Sequence, residues 1–369
     1  MRSLIPDWKC DNCHWRDFFI HPEKLTEVSE KYMQRCIDLA LQGRGRVAPN
    51  PLVGCVIVYE DKIIGEGYHA KYGDLHAEIK SLDSVVDKTL LSNSTLYVNL
   101  EPCNHFGKTP PCTRKIIDAG IPKVVIGHRD PNIQIEGNGV EELQKAGVEV
   151  VEHVLRESNF DLNRRFTTFH EKRRPFIILK WAQTADGYMA QTGGVQTLIS
   201  NEQSKQLVHH WRSEEQAIMV GTNTALVDNP RLTVREIEGI NPLRVVLDRE
   251  LRIPLENYLF DGQTPTLVIN DLKSEKEGNL EYLKLGFKEE LLANILKELT
   301  SRDIQSILVE GGAQLHNSFI ALNLWDEARI ITSPVTFGSG IEAPDISGEE
   351  IKSESVGDNS ISYLRNSSA

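Results

Sequence analysis

The sequence predicts an α/β protein of two domains. Helical and extended apolar patterns alternate along the chain, as in sheets covered by helices. At 369 residues the chain exceeds what one hydrophobic core usually accommodates, since domains average about 150 residues. The alternation breaks once, in a charged stretch that ends at Pro175, and then restarts.

Residues 1–28 read as a polar, Trp-containing extension without periodicity. Tyr32, Met33, Cys36, Leu39 and Ala40 then recur at helical spacing, and Gly43 with Gly45 ends that helix. Two β-type runs, 52–58 and 63–67, flank the charged turn Glu60-Asp61-Lys62. A helix is expected to start near His76. A strand over 95–100 leads into the Pro- and Cys-rich stretch from Glu101 to Cys112. A helix over 113–119, a strand over 124–127, a short helix over 141–146 and a strand over 148–154 follow. Residues 156–174 are charged and helical in pattern. The expected division is therefore an extension at 1–28, a first domain at 29–173 and a second at 174–369. In the second, strands are expected at 176–180, 217–220, 244–247, 266–269, 306–309 and 329–332. Helices are expected at 201–211, at 289–299 and, after a Gly-Gly turn, up to Leu322. No internal repeat is visible.

Apolar residues make up 40% and charged residues 25%, an ordinary globular composition. The net charge of -12 argues against unspecific binding to nucleic acid or an anionic membrane. No apolar run approaches the roughly 18 residues of a membrane span, and Met1 to Phe19 lacks a signal-peptide core. Six cysteines in this length are no disulfide framework, and their clustering points to metal or catalysis. A cytoplasmic enzyme is expected, with neither nucleic acid nor membrane as partner; homo-oligomerisation is left open.

The sharpest feature is His76-Ala77-Glu78 followed by Pro102-Cys103 and Pro111-Cys112. Catalytic zinc takes three protein ligands and keeps a position open for water. His76 at a helix start and two cysteines beside prolines provide those three. Glu78 lies where it can face the water without ligating metal, the arrangement of hydrolytic deaminases. A helix start near Thr113 favours the thiolate form of the cysteines. A buried histidine with two structural cysteines is the bland alternative. Eight residues separate the cysteines here, where the general deaminase signature has two, so a simple match to nucleoside or tRNA deaminases is excluded.

The string Glu101-Pro-Cys-Asn-His-Phe-Gly-Lys-Thr-Pro-Pro-Cys112 resembles the riboflavin-pathway deaminases of the RibD family. Asn50-Pro-Leu-Val-Gly-Cys55 and Asp130-Pro-Asn132 resemble it too. The resemblance covers about residues 30 to 369. It implies a cytidine-deaminase-like first domain that deaminates a phosphoribosylaminopyrimidine, with one zinc held by His76, Cys103 and Cys112 and Glu78 as acid/base. It also implies substrate contacts from Asn50, His105, Lys108 and Thr109. Physically, Asn50 would hydrogen-bond the ring edge and Lys108 would neutralise the ribose phosphate. A loop cap and a solvated lysine are the alternatives.

For the second domain the resemblance implies a dihydrofolate-reductase-like fold that uses NADPH to open the ribosyl to a ribityl chain. Matching pieces are Lys180-Trp-Ala-Gln-Thr-Ala-Asp-Gly187, Arg212, and the T-x-x-x-D-N-P-x-L-T-V-R run from Thr224 to Arg235. By these matches Ala182, Leu198, Thr224, Asp228, Gly312, Ala313, Gln314, Leu315, His316, Asn317 and Ser318 would line the NADPH site. Lys180, Gln196, Arg212, Leu232, Arg235 and Glu310 would touch the substrate. The family often has Gly where Ala182 stands and an aromatic residue where Leu198 stands. Independently, Val309-Glu-Gly-Gly-Ala313 reads as strand, Gly-Gly turn and helix, a cradle for phosphate; no G-x-G-x-x-G fingerprint is present. Arg212 and Arg235 would form a bidentate phosphate clamp or be surface arginines. Proton delivery falls to Lys180, Asp228 or Glu310.

Cys10-Asp-Asn-Cys13-His14 spells the c-type haem attachment pattern, but no export signal precedes it, and a plain extension is expected. Two other functions fit parts of the pattern. One is a zinc deaminase of another base or nucleotide with a non-catalytic second domain. The other is a non-catalytic module with structural zinc, against which Glu78 speaks, since a structural site needs no such carboxylate.

Overall fold

The computed structural model describes residues 22–105, 110–132, 138–193 and 199–367. The first half runs α1 (Pro22–Leu41), β1 (Gly54–Tyr59), β2 (Lys62–Tyr68), α2 (Ala77–Ser84), β3 (Thr95–Leu100), α3 (Cys112–Asp118), β4 (Lys123–His128), α4 (Asn138–Lys145) and β5 (Glu149–Val151). Its sheet has the order β2-β1-β3-β4-β5, with β1 antiparallel to both neighbours and β3, β4 and β5 parallel. Alternate residues of β1 face opposite layers. Cys55 and Ile57 pack with Ala77, Leu82 and Ile116 of α2 and α3, while Val56 and Val58 meet Met33 and Cys36 of α1. Gly54 is where α1 crosses β1: a Cβ there would lie 2.0 Å from the Cys36 carbonyl oxygen. Gly54→Ala is therefore expected to destabilise this domain by about 1–3 kcal/mol, read as a lower urea midpoint for its unfolding.

Two helices, α5 (Arg156–Leu162) and α6 (Arg164–Lys172), lead to the second half. The stretch expected to be helical, 156–174, forms two helices separated at Asn163, whose φ of −103° and ψ of 17° depart from helix geometry and whose side chain accepts from Leu52 N at 2.8 Å and donates to Leu52 O at 2.9 Å.

The second half contains β6 (Phe176–Thr184), β7 (Tyr188–Ala190), α7 (Glu202–Glu214), β8 (Ala217–Gly221), α8 (Thr222–Asp228), β9 (Leu243–Leu247), β10 (Thr266–Asn270), β11 (Glu275–Glu277), β12 (Leu280–Lys284), α9 (Leu291–Ser301), β13 (Ser306–Val309), α10 (Ala313–Ala321), β14 (Glu327–Ser333), β15 (Ile341–Glu342), β16 (Glu349–Val356) and β17 (Asn359–Arg365). Ten strands form one sheet, β11-β12-β10-β9-β8-β13-β6-β14-β17-β16, parallel from β12 to β14. The inner parallel strands β6, β8, β10 and β13 carry apolar runs because both faces are covered. Ile177 and Leu179 pack with Leu296 and Phe319 of α9 and α10, and Phe176 and Ile178 with Val208 and Trp211 of α7.

Three expectations need correction. Helix α1 starts at Pro22, inside the stretch read as an extension. Helix α8 was missed, being one short Thr- and Val-containing segment. The strands β7, β11, β12, β15, β16 and β17 were also missed. Most residues of β16 are exposed and charged or Ser, which suits an edge strand but carries no apolar alternation. Cys10, Cys13 and His14 lie outside the described residues.

Candidate active sites

Helix α2 lies directly on β2 because Gly67 has no side chain; a Cβ there would come within 2.5 Å of Ala77 O and Ser81 N. This contact places His76, the N-cap of α2, and Glu78 in its first turn. Cys103 follows β3, and Cys112 opens α3. The helix start holds Cys103 in place: Cys112 N donates to Cys103 Sγ at 3.4 Å and Thr113 N to Cys103 O at 3.2 Å. Glu101, two residues earlier, accepts from the amides of Gly139 and Val140 at the start of α4, at 3.0 and 3.2 Å.

His76 Nδ1 lies 3.5 Å from Cys103 Sγ and 3.3 Å from Cys112 Sγ, and the three donor atoms fall within 4.8 Å of one another. Tetrahedral zinc with ordinary bond lengths separates its nitrogen and sulfur ligands by about 3.5 Å. The donor set fits that ion. The two thiols share a proton: the hydrogen bond with Cys112, opposed by burial and aided by His76, pulls Cys103 down, while the same contact and burial push Cys112 up. Binding a divalent cation replaces such a proton. Glu78 is only 3% exposed, and burial, with Cys103 beside it, pushes its carboxyl up to about 6. That is a suitable range for passing protons near neutral pH.

Asn50 stands one histidine away. Its Nδ2 meets His69 Nε2 at 3.0 Å, and the His69 ring lies edge-on to His76, with centroids 5.8 Å apart. His69 Nδ1 reaches Leu75 O at 3.2 Å, so Nδ1 carries the proton and Nε2 accepts from Asn50. Burial lowers the His69 pKa and keeps the ring neutral. Asn50 is left with its Oδ1 as the acceptor to offer a ligand. His69 was not among the sequence candidates; a single histidine at the end of a strand is too weak a signal. His105 is exposed, and Lys108 and Thr109 lie outside the described residues.

The second site is a cleft of about 1330 Å³ at the carboxyl ends of β6, β8, β9 and β13, where open α/β sheets bind ligands. Lys180, Ala182, Arg212, Thr224, Asp228, Leu232, Arg235, Glu310, Gly312, Ala313, Gln314, Leu315 and Ser318 all line it. Two helix starts, α8 and α10, also lie along it, and their first amides have no partner within the helix. With the Gly311-Gly312 turn this fits the pyrophosphate of a dinucleotide. His316 and Asn317 do not line the cleft. His316 faces inward from α10, its Nε2 3.1 Å from Lys180 O and its ring beside Trp181. Gln196 and Leu198 lie outside the described residues.

Glu310 is the hub of the cleft. Arg212 donates to it through Nε and Nη2, both at 2.8 Å, and Lys180 Nζ lies 3.5 Å away. Burial alone would raise the Glu310 carboxyl, but the two cations outweigh it and hold it at about 2. Burial lowers the Lys180 pKa against the pull of Glu310. Arg212, read with Arg235 as a phosphate clamp, thus has its Nε and Nη2 engaged by Glu310 and its Nη1 3.4 Å from Thr233 O. Arg235 is half exposed at the rim, and its amide donates to His209 Nδ1 at 3.3 Å.

Residues 175–365 match the family model of the RibD C-terminal domain. Residues 26–128 match that of the cytidine and deoxycytidylate deaminase zinc-binding region. The riboflavin biosynthesis protein RibD of Aquifex aeolicus is 41% identical over 330 residues, covering 87% of this chain and 91% of that protein. This chain belongs to the RibD family. RibD of Synechocystis is 39% identical over 87% of this chain and 88% of its own length. The crystal structure of the Thermotoga maritima diaminohydroxyphosphoribosylaminopyrimidine deaminase/5-amino-6-(5-phosphoribosylamino)uracil reductase matches with a TM-score of 0.85 and 38% identity, over 93% of this chain and 99% of that one. Acinetobacter baumannii RibD matches at 0.84 and 30%, over 92% and 99%. The chain is thus a bifunctional enzyme of riboflavin biosynthesis, with a zinc-dependent, cytidine-deaminase-like domain and an NADPH-dependent, dihydrofolate-reductase-like domain. Among the described residues no helix is long and apolar enough to cross a membrane.

Proposed function

We propose that the first site deaminates diaminohydroxyphosphoribosylaminopyrimidine and that the second reduces the product, 5-amino-6-(5-phosphoribosylamino)uracil, at its ribosyl group. The observation that carries the first half is the convergence of His76, Cys103 and Cys112 beside a buried carboxylate. His76, Cys103 and Cys112 would hold zinc, which when bound supplies a water acidic enough to attack at neutral pH. Glu78 accepts that water's proton on its carboxylate and returns it to the departing amine. Asn50, oriented by His69, receives the edge of the pyrimidine, and His105, Lys108 and Thr109 complete the pocket.

In the second site Ala182, Leu198, Thr224, Asp228, residues 312–315 and Ser318 would hold NADPH, which supplies the hydride. His316, which does not line the cleft, supports it from beneath with Nε2 at 3.1 Å from Lys180 O. Gln196, Leu232 and Arg235 take the substrate, with Arg235 at the rim as the phosphate contact. Glu310 orders Lys180 and Arg212 at the reacting sugar. Glu310 is ionised at neutral pH and has no proton to give, which leaves Lys180 and Asp228, and Lys180 is the group whose proton burial loosens.

The domain boundary belongs at 173/174, supported by the family match that begins at 175 and by β6, which opens at Phe176. A cytoplasmic location suits the free thiols of Cys36, Cys55, Cys103 and Cys112. The substrate is a small phosphorylated pyrimidine and not a nucleic acid, in keeping with the net charge of -12.

Ammonia release and NADPH oxidation, scored separately on the purified chain with each pyrimidine, test the assignment. Ammonia should come from the diamino compound alone, and NADPH oxidation should require its deaminated product. Stripping zinc with a chelator should abolish ammonia release and leave reduction of the deaminated compound intact. NADPH oxidation that stops with zinc removal would contradict the separation of the sites.

A further inference from the structure

We propose that the reductase domain supplies a positioning residue to the deaminase site, Gln305. The proposal rests on the reading of Asn50 as a substrate contact. Asn50 belongs to the loop between α1 and β1. Leu52, two residues on, is tied down within the first half by Asn163 and by Asn99, whose Nδ2 donates to Leu52 O at 3.0 Å. The peptide that enters Asn50 is held differently. Its nitrogen donates to Val47 O at 2.9 Å, and its carbonyl, Pro49 O, accepts from Gln305 Nε2 at 2.6 Å. These two groups share one planar unit, so the bond from Gln305 sets the tilt of the plane from which the Asn50 side chain departs.

Gln305 is a rigid anchor. It is 4% exposed and directly precedes β13. Its amide donates to Gln216 Oε1 at 2.7 Å, and its carbonyl accepts from Phe176 N at 2.8 Å, fixing it to the starts of β8 and β6. The loop packs tightly on the second half at Gly45, where a Cβ would lie 2.4 Å from Ser213 O, but not around Asn50. A cavity of about 250 Å³ lies between the halves here, bordered by Asn50, Pro51, Ser213, Glu214 and Gln305. Among the described residues the other polar tie of this loop to the second half, Arg44 to Glu214 at 3.5 Å, is solvent-exposed on the arginine side, and such pairs contribute little. Loss of the Gln305 donor therefore frees the Pro49–Asn50 peptide to tilt and misplaces the amide that His69 orients.

The test uses the full chain. Gln305→Met keeps length and packing but removes the donor, and Gln305→Glu places a carboxylate oxygen against Pro49 O. Both should raise the deaminase KM, by about tenfold for Gln305→Met, with kcat within about threefold of wild type. Reductase kcat and KM, measured on the same samples, should stay unchanged and show that the sheet holding Gln305 is intact. Asn50→Ala is the control for the underlying reading. An unchanged deaminase KM in Gln305→Met, beside a raised KM in Asn50→Ala, overturns the role of Gln305. An unchanged KM in Asn50→Ala overturns the reading of Asn50 and the proposal with it. A parallel loss of both activities in Gln305→Met marks a general structural role and also overturns it.

Discussion

Glu78→Gln is expected to lower deamination at least about a hundredfold while zinc stays at one equivalent per chain. The substitution preserves size and leaves His76, Cys103 and Cys112 untouched, so the metal site persists. What is lost is a carboxylate that burial has brought to about 6, able to take a proton from water and give it to the leaving amine. An amide does neither. Reduction of the deaminated substrate should be unaffected, because the second cleft is built from residues of β6 and the elements that follow it. Ammonia release within about threefold of wild type would remove Glu78 from the proton path.

The second large effect is expected at Glu310. In Glu310→Ala, Lys180 and Arg212 are left as two neighbouring cations, 15% and 11% exposed, with no anion between them. Breaking a buried pair in this way costs about 3–5 kcal/mol. Thermal unfolding should show a destabilised reductase half, and NADPH oxidation should fall at least about a hundredfold, while ammonia release continues. Glu310→Gln separates charge from shape. It keeps an acceptor for Arg212 but removes the charge that raises the Lys180 pKa. If protonated Lys180 takes part in the reduction, the alkaline limb of its pH profile moves to lower pH. A limb that does not move would assign the proton to another group, with Asp228 next to be tested.

The candidate metal donors were legible in the chain because each is marked by its own backbone context. His76 stands at a helix start, and each cysteine follows a proline. The inner parallel strands were legible too, since burial on both faces gives them apolar runs such as Phe176-Ile-Ile-Leu179, whereas the half-buried β12 at the parallel edge, Leu280-Glu-Tyr-Leu-Lys284, was not. The hairpin of β16 and β17 was not, because Glu349-Glu-Ile-Lys-Ser-Glu-Ser-Val356 carries no such run and takes its place only by pairing onto β14 through β17.

Arg212 shows a different limit. As a residue type it suits a phosphate clamp with Arg235, but its partner Glu310 lies 98 residues away and reaches it only because β13 ends beside α7. His69 and Gln305 are of the same kind: one glutamine before a strand says nothing of a bond to Pro49 O across 256 positions. By itself the sequence determined the α/β class, the candidate metal donors with Glu78 beside them, and the family, all of which rest on residue type and short-range order. Only the tertiary structure decided how the charges pair, which histidine orients Asn50 and where the two halves touch. Those are matters of distance between groups far apart in the chain, and no local pattern encodes which side chains a sheet will bring within 3 Å of each other.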